Sequence, residues 1–395
     1  MSQSLITDQQ AFEDVCSQMR ESGIVAFDTE FISENSFRPK LCLVQLATTD
    51  LCVAVDPLVV DVASWWQIMI DTETTVIAHA GREETRFCIT NIGHRPIKLW
   101  DVQIAEGLRG NSYPLSYERL ISRVLGKHLT SSETRTDWQR RPLTERQIEY
   151  ALDDVRFLLR VHERQSEDLQ SQGRLSWATE EIERMIDDMV SERHDETWRK
   201  LSGVRRLNRR QLAVVRELFR WRASEGEERD QPARRVLRDD LVIDLARRQP
   251  QTESELMRSR DMNRSNYRRN ASAMVECVKA ALAIPDNELP EKFRKEDSGT
   301  DEPVLGKLLA LTLANRCEQL NVSAGLVGTS ADLKELIRWH VKGCPEKSRP
   351  LLETGWRAEV CGDLLRQVLE GRISLRVSNA TSKHPLVFEP VEPDV

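Results

Sequence analysis

The segment IVAFDTEF, residues 24–31, carries the strongest structural signal in this sequence. Its run of apolar residues predicts a β-strand, in which residues two apart leave the same face, so Asp28 and Glu30 share one face. A buried strand seldom carries two carboxylates on one face without counter-charges, because unpaired buried charge is costly. The segment therefore predicts a cation site, and the alternative is an edge strand with solvated acidic side chains.

Two further segments supply the remaining candidate residues. HAGREETRF (79–87) contains Glu84, and EYALDDVRF (149–157) places Tyr150 and Asp154 four residues apart on one face of a predicted helix. Four carboxylates that converge repel one another unless cations lie between them, which favours a pair of hard divalent ions with oxygen ligands. Two alternatives stay open: Tyr150 and Asp154 as ordinary surface residues, and Glu84 in local ion pairs with its flanking arginines. His79 is interpreted as a structural hydrogen-bonding residue.

The surrounding pattern predicts an α/β unit with a mixed sheet. Thr7 is a candidate N-cap of a first helix that Gly23 ends, and strand-like runs follow at 24–31, 41–48, 51–56 and 75–80. The short gap between the second and third runs requires a hairpin. A single amphipathic helix is predicted over 144–170, with a buried stripe formed by Ile148, Leu152, Val155 and Leu159.

After about residue 177 the pattern is helical, and it predicts five regions along the chain. They are an α/β domain at 1–176, a helical domain at 197–284, a linker at 285–303, a second helical domain at 304–375 and a disordered tail at 376–395. A fragment that ends near Gly173 is expected to keep the activity of the first domain.

Composition narrows the functional classes. The formal net charge is −7, yet residues 198–279 contain 21 Lys and Arg against 12 Asp and Glu, an excess of nine positive charges. A basic module beside an acidic one suits an enzyme that binds a polyanion, although a solvated helical surface would show the same charge run.

No apolar run is long enough for a membrane span, and the polar first twenty residues do not resemble a secretory signal. The eight cysteines show no zinc-binding spacing, so we expect no zinc, reduced thiols and a cytoplasmic location.

The three motifs, with RPKLCLVQLAT (38–48) and SETRTDWQRRPLTERQIEYALDD (132–154), closely resemble the ribonuclease D family over roughly residues 7–372. The resemblance implies a ribonuclease H-like exonuclease domain followed by two small all-α helical-bundle domains of the helicase/ribonuclease D C-terminal (HRDC) type, the second diverged. It implies a 3′→5′ exoribonuclease that binds two divalent ions, Mg²⁺ or Mn²⁺, through Asp28, Glu30, Glu84 and Asp154. Tyr150 would orient the attacking water. The family carries aspartate where this chain has Glu84.

The same resemblance implies precursor tRNA and other small structured RNAs as partners, with Phe31 and Arg135 as candidate substrate contacts. Asp137 and Trp138 are expected to organise the loop before the long helix. Two rival interpretations remain: a DNA 3′→5′ exonuclease, and an RNA-binding protein with a decayed nuclease site. Cleavage of matched RNA and DNA oligonucleotides, with and without a chelator, distinguishes all three.

Overall fold

The structure is a computed structural model that describes residues 5–129, 136–191, 197–259, 261–293 and 303–391. Arg135 lies outside these ranges. The N-terminal part is a six-stranded mixed sheet with helices on both sides, which confirms the predicted fold class. The strands are β1 (Leu5–Ile6), β2 (Ile24–Ile32), β3 (Lys40–Ala47), β4 (Cys52–Val55), β5 (Thr75–Ala78) and β6 (Leu99–Asp101).

The spatial order of the sheet is β1-β4-β3-β2-β5-β6. β2 lies at its centre, antiparallel to β3 and parallel to β5, and the predicted β3–β4 hairpin is present. β1 and β6 were not predicted, because two and three residues are too few to show a strand period. β5 pairs only with residues 24–26 of β2, so the second half of β2 extends beyond it.

Eight helices accompany this sheet in the described part of the chain. They are α1 (Gln9–Ser22), α2 (Ala63–Met69), α3 (Arg82–Ile92), α4 (Val102–Arg109), α5 (Tyr117–Leu125), α6 (Glu145–Arg156), α7 (Leu158–Ser171) and α8 (Leu175–Ser191). The N-cap of α1 is Asp8, whose side chain accepts a hydrogen bond from the Ala11 amide, so the assignment of Thr7 was wrong by one residue. Gly23 ends α1 in the left-handed region, as predicted. The single helix predicted over 144–170 is two helices that meet at Phe157.

The helices of the C-terminal half fall into two groups. The first comprises α9 (Arg209–Glu228), α10 (Ala233–Val236), α11 (Asp239–Arg248), α12 (Glu253–Met257), α13 (Ser265–Arg269) and α14 (Ala271–Ala283). The second comprises α15 (Pro303–Leu320), α16 (Ala324–Val327), α17 (Ser330–Val341), α18 (Gly355–Arg357), a π-helical segment (Ala358–Gly362) and α19 (Asp363–Leu369).

The first group encloses its own hydrophobic core, which also includes Trp198 and Leu289. Leu289 is buried and Phe293 packs against this core, so the start of the predicted linker belongs to the first helical unit. The core of the second group is continuous with that of the α/β unit.

The disordered tail predicted over 376–395 is wrong for its described part. Strands β7 (Ile373–Val377) and β8 (Leu386–Pro390) form an antiparallel hairpin. Asn315 fixes β8 to α15, since its side chain donates to the Leu386 carbonyl oxygen and accepts from the Leu386 amide. These partners lie 71 residues apart in the sequence, a separation that local composition cannot reveal.

All eight cysteines lie within the described ranges and are free thiols. Among the helices of the described residues, none is both long and apolar enough to cross a membrane.

Candidate active site

The central strand β2 presents the first two acidic residues. Asp28 lies opposite Gln45 of β3 and Glu30 lies opposite Leu43, so these side chains share one face of the sheet. The register shifts at a β-bulge directly after Glu30, the kind of irregularity that often re-aims side chains beside active sites.

Helix α6 covers the same face and brings Tyr150 and Asp154. Its Ala151 and Leu152 pack with Leu43 in one small core. A capping box at Thr144 fixes where α6 begins. Burial raises the pKa of Asp154, and its interaction with the Tyr150 side chain acts in the opposite direction. The predicted side-chain pair is therefore present and faces the strand that carries Asp28 and Glu30.

The loop before α6 is held to the sheet by Arg141. Its guanidinium donates to the Cys42 carbonyl oxygen at 2.7 Å and pairs with Asp56 at 2.5 Å. Trp138 is buried, and its ring centroid lies 6.2 Å from that of Tyr150. The expected organising role of this loop thus rests on Trp138 and on Arg141, which the motif comparison did not single out.

Glu84 approaches β2 from the other neighbouring element. It lies in the first turn of α3, which follows the end of β5 and so stands beside the half of β2 that β5 leaves unpaired. Glu84 is only 4% exposed, and one of its carboxylate oxygens accepts a 2.7 Å hydrogen bond from the Thr29 hydroxyl. Arg86 pairs instead with Glu83, at 2.9 Å.

The turn before α3 depends on Asp101, which sequence reasoning missed. Its carboxylate accepts hydrogen bonds from the backbone amides of Ala80 (3.2 Å) and Gly81 (2.9 Å), and Ala80 occupies the left-handed region at φ +56°. His79 contacts the Leu115 carbonyl oxygen at 2.9 Å, which confirms its predicted structural role. Burial lowers the pKa of His79.

The electrostatics show that the four carboxyl groups influence one another. Burial, followed by the charges of Glu84, Asp154 and Glu30, raises the pKa of Asp28 well above its ordinary value. Burial raises the pKa of Glu30 to about 8, with further contributions from Asp154 and Glu84. Burial likewise raises the pKa of Glu84 and of Asp154 to about 7, although the hydrogen bonds from Thr29 and Tyr150 act in the opposite direction.

Burial and neighbouring carboxylates are thus the main causes of these raised pKa values. A divalent cation bound among the carboxyl groups would stabilise their charged forms. Within the described residues, no three acidic, histidine or cysteine side chains stand in a geometry that holds an ion as they are. One oxygen of Glu84 accepts the hydrogen bond from Thr29, so coordination of an ion by that oxygen requires the bond to be shared or released. The donor chemistry, which consists of carboxylate oxygens alone, fits hard ions such as Mg²⁺ or Mn²⁺.

Gln45 is a buried polar residue beside the carboxylates. It is fully buried opposite Asp28, and within the described part of the chain neither its amide nitrogen nor its amide oxygen has a hydrogen-bond partner. Buried amides are rarely left unpaired, and such exceptions often mark functional sites. Sequence reasoning missed Gln45 because it lies in an otherwise apolar strand.

Glu30 and Tyr150 border an open cleft of about 720 Å³. The other residues that line it include Phe31, Ser33, Glu34, Asn35, Asp137, Trp138 and Gln139. Phe31 packs edge-on against Phe87 at a centroid distance of 5.5 Å, and its contact with substrate stays a prediction.

Comparison with known proteins gives consistent results. Residues 3–170 match the 3′-5′ exonuclease family and residues 211–278 match the HRDC domain family. Ribonuclease D of Gluconacetobacter diazotrophicus is 33% identical over 382 residues, which cover 96% of either chain. Ribonuclease D of Granulibacter bethesdensis is 31% identical and covers 97% of this chain and 96% of its own.

Among solved structures, that of Escherichia coli RNase D is similar over 94% of this chain and 99% of the other, with a TM-score of 0.82 and 28% identity. It is described as an exoribonuclease involved in structured RNA processing. The catalytic core of RRP6 from Trypanosoma brucei is 22% identical over 72% of this chain and 81% of its own, with a TM-score of 0.54, a likeness of fold alone.

Proposed function

This chain belongs to the ribonuclease D family and is a 3′→5′ exoribonuclease, and from that premise we propose that it works by a two-metal mechanism and releases nucleoside 5′-monophosphates. Exonucleases of this type are metal-dependent. The observation that carries the proposal is the convergence of four acidic side chains from β2, α3 and α6. Burial and the neighbouring carboxylates raise the pKa values of Asp28 and Glu30 there.

The four carboxylates divide between two ion sites. Asp28, Glu30 and Asp154 would hold the first ion, and Asp28 with Glu84 would hold the second. Bound divalent ions would supply a lowered pKa for the attacking water and a counter-charge for the departing 3′-oxyanion. This assignment draws on the position of Asp28 among the other three groups, since their charges all raise its pKa.

Tyr150 positions the nucleophile and does not remove its proton. Burial, together with the charges of Asp154, Glu30 and Asp28, raises the pKa of Tyr150 above its ordinary value. The phenol thus stays protonated at neutral pH and can donate a hydrogen bond. Its hydroxyl would orient the attacking water.

RNA is the substrate, and we propose the 3′ trailers of precursor tRNA and other small structured RNAs in particular. Support comes from the description of the E. coli relative as an enzyme of structured RNA processing. The excess of nine positive charges over residues 198–279 also suits binding to phosphates far from the cleft.

The test is cleavage of a 5′-labelled single-stranded RNA with Mg²⁺ or Mn²⁺. We expect stepwise shortening from the 3′ end, abolished by a chelator and by a 3′ phosphate and unaffected by a blocked 5′ end. Asp28→Asn should abolish turnover, whereas Tyr150→Phe should lower kcat by roughly 10²–10⁴-fold and leave metal binding intact. Cleavage of circular RNA, or equal loss of metal binding in both variants, would contradict the proposal.

A further inference from the structure

The loop over residues 33–39, here called the 33–39 loop, joins the catalytic cleft to the first helical unit. The Phe37 amide donates to Asp230 at 3.1 Å, Arg38 pairs with Glu227 at 2.5 Å, and Arg235 donates to the Asn35 side chain at 2.7 Å. The loop starts just after β2, so the strand that carries Asp28 and Glu30 leads directly into this interface.

Two further cavities continue the cleft across that interface. The first, about 700 Å³, shares Ser33 with the catalytic cleft and is lined on its far side by Lys200, Arg222 and Arg234. The second, about 770 Å³, shares Arg234 with the first and adds Arg235, Arg238 and Arg247. Because neighbouring cavities share lining residues, they form one path from the acidic cleft to a basic surface.

Buried polar contacts fix the middle of this path. Arg222 is 3% exposed and lines the first cavity, and its Nε atom has no hydrogen-bond partner among the residues that the structure describes. Asp239 pairs with Arg222 at 2.7 Å and with the Nε atom of Arg234 at 3.0 Å. The Arg234 side chain is 80% exposed and lines both cavities, and its Nε atom is held by Asp239.

Positive charge dominates the far end of the path. The last cavity has four arginines against Asp239 and Asp240. Arg247 is exposed and, among the described residues, has no ion-pair partner. Exposed guanidinium groups beside an acidic cleft suit a chain of phosphates whose end enters the cleft.

We infer that the single-stranded RNA just upstream of the 3′ end runs over the 33–39 loop and is held through its phosphates by Lys200, Arg234, Arg235, Arg238 and Arg247, here called the arginine track. This inference rests on the proposed function, since it takes the 3′ end to lie at Asp28. The arginine track contacts phosphates and no bases, and it binds only RNA that is long enough to extend beyond the catalytic cleft.

The test compares the double variant Arg234→Gln/Arg247→Gln with the control Arg248→Gln/Lys279→Gln. The control removes the same charge from exposed residues that line none of these cavities. Binding of 5′-fluorescein oligouridylates of 3 to 15 nucleotides is measured by anisotropy in EDTA over a salt series.

For the longest oligonucleotide we expect Kd to rise about tenfold in the track variant and the slope of log Kd against log salt to fall by about 1.4. The trinucleotide should bind both variants alike, and the control should follow the parent. Equal effects of both variants, or an effect on the trinucleotide as large as that on the longest oligomer, would overturn the track. Cleavage of RNA by the parent protein is scored separately, so that failure of the track and failure of the proposed function remain distinct.

Discussion

At the scale of single residues, Glu84 stands where the resemblance to the family implies aspartate. Its carboxylate accepts a 2.7 Å hydrogen bond from the Thr29 hydroxyl of β2. The alternative was that Glu84 forms ion pairs with its flanking arginines. The pKa of Glu84 does not support it, because burial and the hydrogen bond from Thr29 are the largest effects on that pKa. A carboxylate so placed adjoins Asp28 but must turn from Thr29 to coordinate an ion.

We predict that Glu84→Gln nearly abolishes cleavage, because it removes the charge at almost constant size, and that Glu84→Asp retains activity. Thr29→Val, which removes only the hydrogen bond, should change the Mn²⁺ and Mg²⁺ requirement by about tenfold. The turnover of all three variants is measured over a range of Mn²⁺ and Mg²⁺ concentrations. Unchanged turnover in Glu84→Gln would exclude Glu84 as a ligand.

Gln45 supplies a second prediction at this scale. A buried amide without partners costs about 1–3 kcal/mol, so Gln45→Leu should raise the free energy of unfolding by up to that amount. If the amide supports the Asp28 carboxylate during metal binding, the same variant should lose about tenfold in turnover. Denaturation and kinetics are compared on one preparation. A more stable variant with full activity would show that Gln45 is only a core residue.

The sequence allowed Asp28 and Glu30 to be paired because side-chain alternation along a strand is a local property. The role of Thr29 was not predictable in this way, since its partner lies 55 residues further along the chain. Asp101 was missed for the same reason, because its amide partners Ala80 and Gly81 belong to a different turn.

At the scale of elements, errors arose where tertiary packing overrides a periodic pattern. The 144–170 run breaks at Phe157, so Leu158 is fully buried where Leu159 was expected. The break ends α6 shortly after Asp154. Strands β2 to β5 were predictable because each alternates or is apolar over four residues or more. The hairpin β7–β8 was not, because Asn315 of a distant helix determines its position.

The convergence of β2, α3 and α6 predicts an unusual dependence of stability on pH. The folded protein raises the pKa of Glu30 to about 8 and of Glu84 and Asp154 to about 7, so it retains protons that the unfolded chain loses above about pH 4. Because the native state binds more protons, the Tm of the metal-free protein should fall as pH rises from about 5 to about 8.

Metal binding competes with these protons, so Mn²⁺ should raise Tm more at about pH 8 than at about pH 6. Scanning calorimetry with and without metal measures both effects. Asp28→Asn/Glu30→Gln serves as the control and should flatten the pH dependence. A parent protein that gains stability with pH over this range would contradict the mutual influence of the carboxylates.

At the scale of the whole molecule, the second helical unit is part of the N-terminal fold. Leu309, Leu336 and Trp356 share one hydrophobic core with β2 and β5. Gly107 of α4 also leaves no room for a Cβ atom, because Leu326 would lie 2.5 Å from it. The fragment that ends near Gly173 would therefore expose part of this core, and its activity stays a prediction. Sequence periodicity predicted helices in both units but could not show that the second shares its core with the sheet.

The ion pair between Arg357 and Glu181 tests this fusion. It joins α18 to α8 at 2.6 Å, and the two side chains are 3% and 2% exposed. Arg357 also donates to the carbonyl oxygens of Val327 and Leu326. Arg357→Met leaves Glu181 paired with Arg184, at 2.6 Å, but removes the donor to the Val327 and Leu326 carbonyl oxygens, so it should lower the free energy of unfolding by about 1–3 kcal/mol. Arg357→Met/Glu181→Leu should recover part of that loss, because it also removes the buried carboxylate.

The matched control is Arg376→Met, which breaks the exposed pair with Glu389 and should leave the free energy of unfolding nearly unchanged. Denaturant unfolding is followed in parallel by circular dichroism and by loss of exonuclease activity. The second helical unit shares its core with the sheet, and α8 also packs against α3, which carries Glu84. The Arg357 variant should therefore lose activity and structure in one transition. Full activity after the C-terminal helices have unfolded would instead show that the α/β unit folds alone.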